Sequence, residues 1–149
     1  MKKTLIFCFL LTCIYFLACT EVNNESSNKA EYVPTKWHPN PNGDSELALL
    51  MRDMYDDGQR MRVAILNGEP FTSKVDFEKI LTAAATEPEK AASSEYHAFA
   101  QSYIQTMKAL QGADPAKAVA LYETMVANCM SCHQALCPGP TMRIKKLNL

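Results

Sequence analysis

From Asp44 to Cys137 the apolar residues recur every three to four positions, and this period predicts amphipathic helices. Glycines and prolines divide the pattern into four stretches. The first stretch begins at the helix-capping residues Asp44 and Ser45 and stops at Gly68. Its inward positions are Leu47, Leu50, Met51, Met54, Gly58, Met61 and Ile65. These spacings predict one well-defined helix.

The second and third stretches have less sharp boundaries. Thr72 or Ser73 caps the second stretch, and Pro88 breaks it. Its inward residues are Phe77, Ile80, Leu81 and Ala84. The third stretch begins between Pro88 and Ser94 and ends at Gly112. Its inward residues are Tyr96, Phe99, Ala100, Tyr103, Met107 and Leu110. Both stretches are predicted to be helical.

The fourth stretch starts with Asp114 and Pro115, a capping carboxylate followed by proline at the first helical position. Pro138 ends it. Its apolar face consists of Val119, Tyr122, Met125, Val126 and Cys129. Four amphipathic helices with short connections predict an all-α fold, an antiparallel four-helix bundle over residues 44–137. No segment shows the sustained alternation that a strand requires.

The first 43 residues lack the helical pattern and divide into two parts. Residues 1–18 join two lysines to an apolar run too short to span a bilayer, which is typical of an export signal. Their end, Phe16-Leu17-Ala18-Cys19, resembles a bacterial lipoprotein signal, and the resemblance implies cleavage before Cys19 and a lipid anchor on it. Simple secretion and a retained anchor stay open as alternatives. Residues 19–43, rich in Asn, Ser, Glu and Pro, are predicted to be a disordered tether.

Net charge and cysteine positions limit the possible partners and the possible disulfides. A formal net charge of −1 without a basic stripe argues against nucleic acid as a partner. Residues 138–149 are predicted to be a basic tail. Of six cysteines, Cys8 and Cys13 lie in the export signal and Cys19 at its edge. Two more belong to a motif near the C-terminus, so only Cys137 is left over and no disulfide framework is expected.

That motif is Cys129-Met130-Ser131-Cys132-His133, which matches the C-x-x-C-H signature for covalent attachment of haem c. On a helix the three functional residues occupy positions i, i+3 and i+4, so they share one face. Such thiols add to the haem vinyl groups as thioethers, and the histidine ligates the iron from the proximal side. The motif therefore predicts one covalent haem at Cys129 and Cys132, with His133 as the proximal ligand.

A helical domain with this motif near the end of its last helix resembles the class II cytochromes c, the cytochrome c′ and cytochrome c556 family. The resemblance covers residues 44–137. Only 16 residues follow His133, which leaves no chain to build a class I cytochrome around it. The resemblance implies a four-helix haem domain that carries electrons without substrate turnover, and so not an enzyme. Relatives of this class are often dimers, which leaves a homodimer open.

The resemblance also bears on the sixth iron ligand. Matching the end of the first helix to the family implies that Met51 lies on the distal side of the haem, with Met54 one turn further as a weaker candidate. Methionine is also a common core residue. If no methionine ligates, the resemblance implies a five-coordinate, cytochrome c′-type protein that binds nitric oxide or carbon monoxide. The family's basic residue four positions after the haem histidine is replaced here by Cys137.

Haem propionates require cationic partners, and the sequence offers several candidates without ranking them: Arg52, Arg60, Arg62, Arg143 and Lys145. Three readings without haem stay open. The cysteines together with His133 could form a zinc site, although adjacent Cys132 and His133 would strain a helix. They could form a dithiol redox motif, or the chain could be a structural lipoprotein that binds a partner.

These observations predict a mono-haem c-type cytochrome that carries single electrons in a bacterial cell envelope. The lipid on Cys19 is expected to hold it on the periplasmic side of a membrane, with a soluble periplasmic protein as the alternative. Its expected partner is a redox protein of the same compartment.

Overall fold

A computed structural model describes residues 44–149, and every regular element in this range is helical. In chain order the elements are α1 (Glu46–Leu66), a 3₁₀ helix (Phe77–Leu81), α2 (Pro88–Ala91), α3 (Ser94–Leu110), α4 (Pro115–Leu136), α5 (Thr141–Ile144) and a second 3₁₀ helix (Lys145–Leu147). The all-α prediction is confirmed for this range. None of its helices is long and apolar enough to cross a membrane. The predicted signal, Cys19 and the tether lie outside the described residues.

The ends of the long helices follow the capping chemistry of the sequence. The Ser45 hydroxyl accepts the Ala48 N–H at the start of α1. Gly68 follows that helix with φ +67°, a left-handed conformation that glycine adopts without strain. At the start of α4 the Asp114 carboxylate accepts the Lys117 N–H at 3.1 Å. Helices α1 and α4 therefore begin where their caps predict.

The prediction of a second α-helix is wrong, because only Phe77–Leu81 of this stretch are helical and they form a 3₁₀ helix. Beyond Leu81 the backbone instead caps α1. The Leu47 N–H donates to the Ala84 carbonyl at 2.9 Å, and the Ala84 N–H donates to the Glu46 carboxylate at 3.0 Å. The first N–H groups of a helix lack partners within it. The described chain therefore has three long helices rather than four.

The core lies among α1, α3 and α4. Its largest fully enclosed side chains are Tyr122, Met61 and Met107. Around them pack Leu50 and Met54 from α1, together with four further α3 residues: Tyr96, Ala100, Tyr103 and Ile104. Val119, which the pattern placed on the inward face of α4, is 40% exposed, so that prediction is wrong.

The C-terminal segment is part of this core. Ile144 and Leu147 are buried, and the Tyr122 hydroxyl donates to the Leu147 carbonyl at 2.7 Å. The Arg62 guanidinium donates to the Asn148 carbonyl at 2.7 Å. Residues 138–149, set apart as a tail by their composition, therefore pack with the helices.

Asp57, a charged residue of α1, is buried and only 2% exposed. Its carboxylate pairs with the Arg60 guanidinium and accepts the Ser73 hydroxyl. Ser73 in turn accepts the Val75 N–H at 3.1 Å. This network ties α1 to the segment leading into the first 3₁₀ helix.

Candidate functional site

A cavity of about 900 Å³ lies between the N-terminal half of α1 and the C-terminal end of α4. Further walls come from the segment leading into α2, from α2 itself, from the start of α3 and from the chain after α4. Its volume is in the range of small-molecule and cofactor sites. Met51, Cys132, His133 and Cys137 all line it. The fold therefore brings most of the predicted site residues to one cavity.

His133 is held by the end of its own helix. Its Nδ1 lies 3.0 Å from the Cys137 carbonyl oxygen. Since a carbonyl can only accept, Nδ1 carries the proton, and Nε2 keeps the lone pair that a metal requires. Burial lowers the pKa of His133, while the bond to the carbonyl opposes this shift. The ring is therefore kept neutral and in the tautomer that suits ligation through Nε2.

The two cysteines of the motif differ in their surroundings. Cys132 lines the cavity beside His133, and both thiols are free. Cys129 does not line the cavity, and its thiol contacts the Met125 sulfur at 3.7 Å. Burial raises the pKa of Cys129 to about 12 and that of Cys132 to about 11, so both remain protonated thiols. Cys132 and His133 thus open on the cavity, whereas Cys129 borders the core behind it.

The side chains that could serve as the predicted sixth ligand lie in different surroundings. Met51 is half-buried and lines the cavity that His133 lines. Met54 is 8% exposed, belongs to the core and does not line the cavity. His97 is exposed on α3, and its ring contacts Tyr96 edge-on. Of Met51, Met54 and His97, Met51 is therefore the one that shares a cavity with His133.

Only some of the basic residues predicted as propionate partners lie at the cavity. Arg52 and Arg143 line it. Arg60 pairs with the buried Asp57 instead, and Arg62 donates to a carbonyl of the C-terminal segment. Lys145 is exposed and is not part of the wall. Two of the five candidates are therefore placed where a bound carboxylate could reach them.

Both lining arginines are also fixed by protein groups. Arg52 pairs with Asp44 at 2.7 Å. The Arg143 guanidinium lies 4.1 Å from the centre of the Tyr55 ring and 3.5 Å from the Asp56 carboxylate. A cation over an aromatic face gains electrostatic attraction. These contacts hold the two charges at the cavity and limit their motion.

Sequence reasoning missed much of the wall, including three polar or aromatic residues: Lys90, Tyr55 and Tyr96. Lys90 lies on the short α2 and pairs with Glu87 at 2.8 Å. Tyr55 and Tyr96 supply aromatic surface, and the Tyr96 hydroxyl donates to the Ile80 carbonyl at 2.6 Å. Tyr96 was identified as a buried position, but its place on the cavity was not. Only the tertiary fold brings these three positions to the motif.

No three His, Cys, Asp or Glu side chains within residues 44–149 are grouped closely enough to hold a metal ion between them. The zinc reading of the cysteine motif thus has no assembled ligand set in this part of the chain.

Comparisons of the chain with models of protein families, with curated proteins and with solved structures found no match. The motif and the cavity around it are therefore the features of this chain that bear on its function.

Proposed function

We propose that the protein is a mono-haem c-type cytochrome that carries single electrons. Cys129 and Cys132 attach the haem, His133 is the proximal ligand and Met51 is the sixth ligand. One observation carries the proposal: within a C-x-x-C-H motif that borders a cofactor-sized cavity, the Nδ1 of His133 is engaged by a carbonyl. That hydrogen bond is the arrangement that orients metal-ligating histidines.

The residues around the cavity fit a haem in composition. Apolar and aromatic side chains such as Leu47, Leu136 and Tyr96 suit the macrocycle, and Arg52 and Arg143 suit its carboxylates. When bound, the haem iron supplies a one-electron couple, and a thioether ligand favours its ferrous state. The α1 and α4 walls, joined by the core, hold Met51 and His133 in fixed relation, which limits reorganisation between the two states.

The fold that we propose is a variant of the class II four-helix haem domain, in which a 3₁₀ helix and an irregular segment replace the second helix. The export signal and Cys19 motivate the accompanying proposal of a lipid-anchored protein on the periplasmic side of a bacterial membrane. Its electron donor or acceptor is then another protein of that compartment.

Covalent haem is tested on the full-length chain, produced with its own export signal in a bacterium that has haem-attachment enzymes. A haem stain on a denaturing gel is expected to label the protein, because only covalent haem survives denaturation. Cys132→Ser is expected to weaken or abolish the label. Cys137→Ser is the matched control, since it removes a cysteine from the same cavity but not from the motif, and it should retain the label.

An unlabelled wild-type chain would contradict the proposal.

If the wild-type chain is labelled, its absorption spectrum separates the two possible haem functions. A sharp low-spin α band in the reduced protein supports an electron carrier with methionine ligation. A five-coordinate spectrum with tight carbon monoxide binding identifies the gas-binding alternative instead.

A further inference from the structure

The acceptor for His133 is a backbone carbonyl at the point where α4 ends. In a regular helix the carbonyl of residue i+4 points along the axis away from residue i. The chain must therefore leave the helix at Cys137 for this carbonyl to face the ring. Cys137 does so, with φ −152° and ψ 76°, and its oxygen lies 3.0 Å from His133 Nδ1.

Pro138 accounts for this departure from the helix. A proline ring clashes with a preceding residue in the α conformation and drives that residue toward extended backbone. Proline also lacks the N–H that would continue the helical hydrogen bonds. The conformation of Cys137, and with it the direction of its carbonyl, follows from the residue after it.

The turn that follows is anchored on both sides. The Cys137 N–H donates to the His133 carbonyl at 3.0 Å, so two hydrogen bonds join these residues. Thr141 donates its N–H and its hydroxyl to the Pro138 carbonyl, at 3.1 and 2.8 Å. Ile144 then enters the core with 6% of its surface exposed. These contacts fix the segments on either side of the accepting carbonyl, and Pro138 sets the direction of the carbonyl between them.

We propose that Pro138 is a positioning residue: by ending α4 at Cys137, it directs a carbonyl onto His133 Nδ1 and tunes the electron donation of His133 to the haem iron. The inference rests on the proposed haem function. A hydrogen bond donated by Nδ1, the ring nitrogen that does not bind the metal, fixes the orientation of the ring and raises the basicity of the ligating nitrogen. A more basic ligand favours ferric iron. Pro138 lies outside the C-x-x-C-H motif, which assigns it no role.

The test is Pro138→Ala in the haem-loaded protein. Alanine permits a helical Cys137, so the carbonyl turns away from the ring. At a fixed ambient potential we expect the ferrous-to-ferric ratio to rise about three- to tenfold, the range for losing one hydrogen bond. A tenfold change corresponds to ~59 mV for a one-electron couple. In the reduced protein labelled with ¹⁵N-histidine, the Nδ1 proton is expected to exchange faster with solvent.

One control isolates the proposed effect. Pro140→Ala changes the other proline of the turn and is expected to leave the potential and the proton exchange unchanged. Pro138→Gly, which lifts the same backbone restriction, should move both readouts in the direction of Pro138→Ala and serves if that variant does not fold.

The outcomes distinguish this inference from the function on which it rests. A chain without covalent haem overturns both. A haem-loaded Pro138→Ala protein with unchanged potential and unchanged Nδ1 exchange overturns the inference alone. An equal shift in Pro140→Ala also overturns it, because the effect would then belong to the turn in general.

Discussion

Met51 and Met54 lie one turn apart on α1 and provide a matched pair of substitutions. Met51 is half-buried on the cavity, and Met54 is 8% exposed in the core. If Met51 ligates the haem, Met51→Ala changes the iron spectrum and Met54→Ala changes stability. We expect the reduced Met51→Ala protein to lose its low-spin α band and to bind carbon monoxide. Met54→Ala should keep the wild-type spectrum.

The stability difference follows from burial. Truncating a fully buried methionine to alanine costs ~2–5 kcal/mol, the sum of lost transfer energy and the void left behind. For Met54 we take about 3 kcal/mol, which lowers the melting temperature of a domain of this size by about 10–20 °C. Met51 already borders open space, so its truncation leaves no enclosed void. We expect about 1 kcal/mol for it in the haem-free chain.

Absorption spectra of the oxidised and reduced proteins, together with thermal unfolding of haem-free and haem-loaded chains, measure both effects. The assignment of Met51 is refuted if Met51→Ala keeps the wild-type low-spin spectrum. If Met54→Ala alone converts the iron to the high-spin form, the ligand is Met54 and the described cavity wall is not the distal side.

Two further predictions concern the framework that holds the site. Asp57→Ala is expected to cost about 1–3 kcal/mol of unfolding free energy, because the Ser73 hydroxyl loses its buried acceptor and the partly exposed Arg60 loses its ion pair. Substitution of the exposed Asp53 on the same helix is the control, and equal losses in chemical denaturation would contradict this expectation. Leu147→Ala is expected to cost ~2–5 kcal/mol, whereas Leu149→Ala, at a residue that is 41% exposed, should cost under about 1 kcal/mol. Equal melting temperatures for the two leucine variants would mean that the C-terminal segment does not pack as described.

The boundaries of α1 and α4 could be predicted because their signals are local. Ser45 and Asp114 bind N–H groups three residues away, and Gly68 needs only its own backbone freedom. The second predicted helix failed for a nonlocal reason. The spacing of its apolar residues fits a helix, but the Ala84 N–H and carbonyl form hydrogen bonds with the first residues of α1 instead. No pattern within that segment indicates a partner nearly 40 residues earlier.

The same distinction applies to the site. The motif and the position of Met51 were identified from sequence, and their roles in binding haem stay predictions. Separating Arg52 and Arg143 from Arg60 required the fold. In sequence, Arg52 and Arg60 lie on the same predicted helix and Arg143 lies in the predicted tail, and no local signal shows which of them reach the cavity. The burial of Asp57 was equally hidden, since its partner Ser73 lies 16 positions away. Ile144 and Leu147 looked like a tail because basic residues surround them.

Docking of the C-terminal segment on α1 has a consequence for the order in which structure forms. The hydrogen bond from Arg62 to the Asn148 carbonyl joins residues 86 positions apart, and contacts this distant in sequence slow folding because a long loop must close first. Until Leu147 reaches the core, the wall formed by residues 138–144 is incomplete. On the proposed function, the motif thiols are more accessible to attachment enzymes in a chain whose C-terminal segment has not docked. Slow docking of this segment would leave time for covalent modification before packing encloses the cysteines.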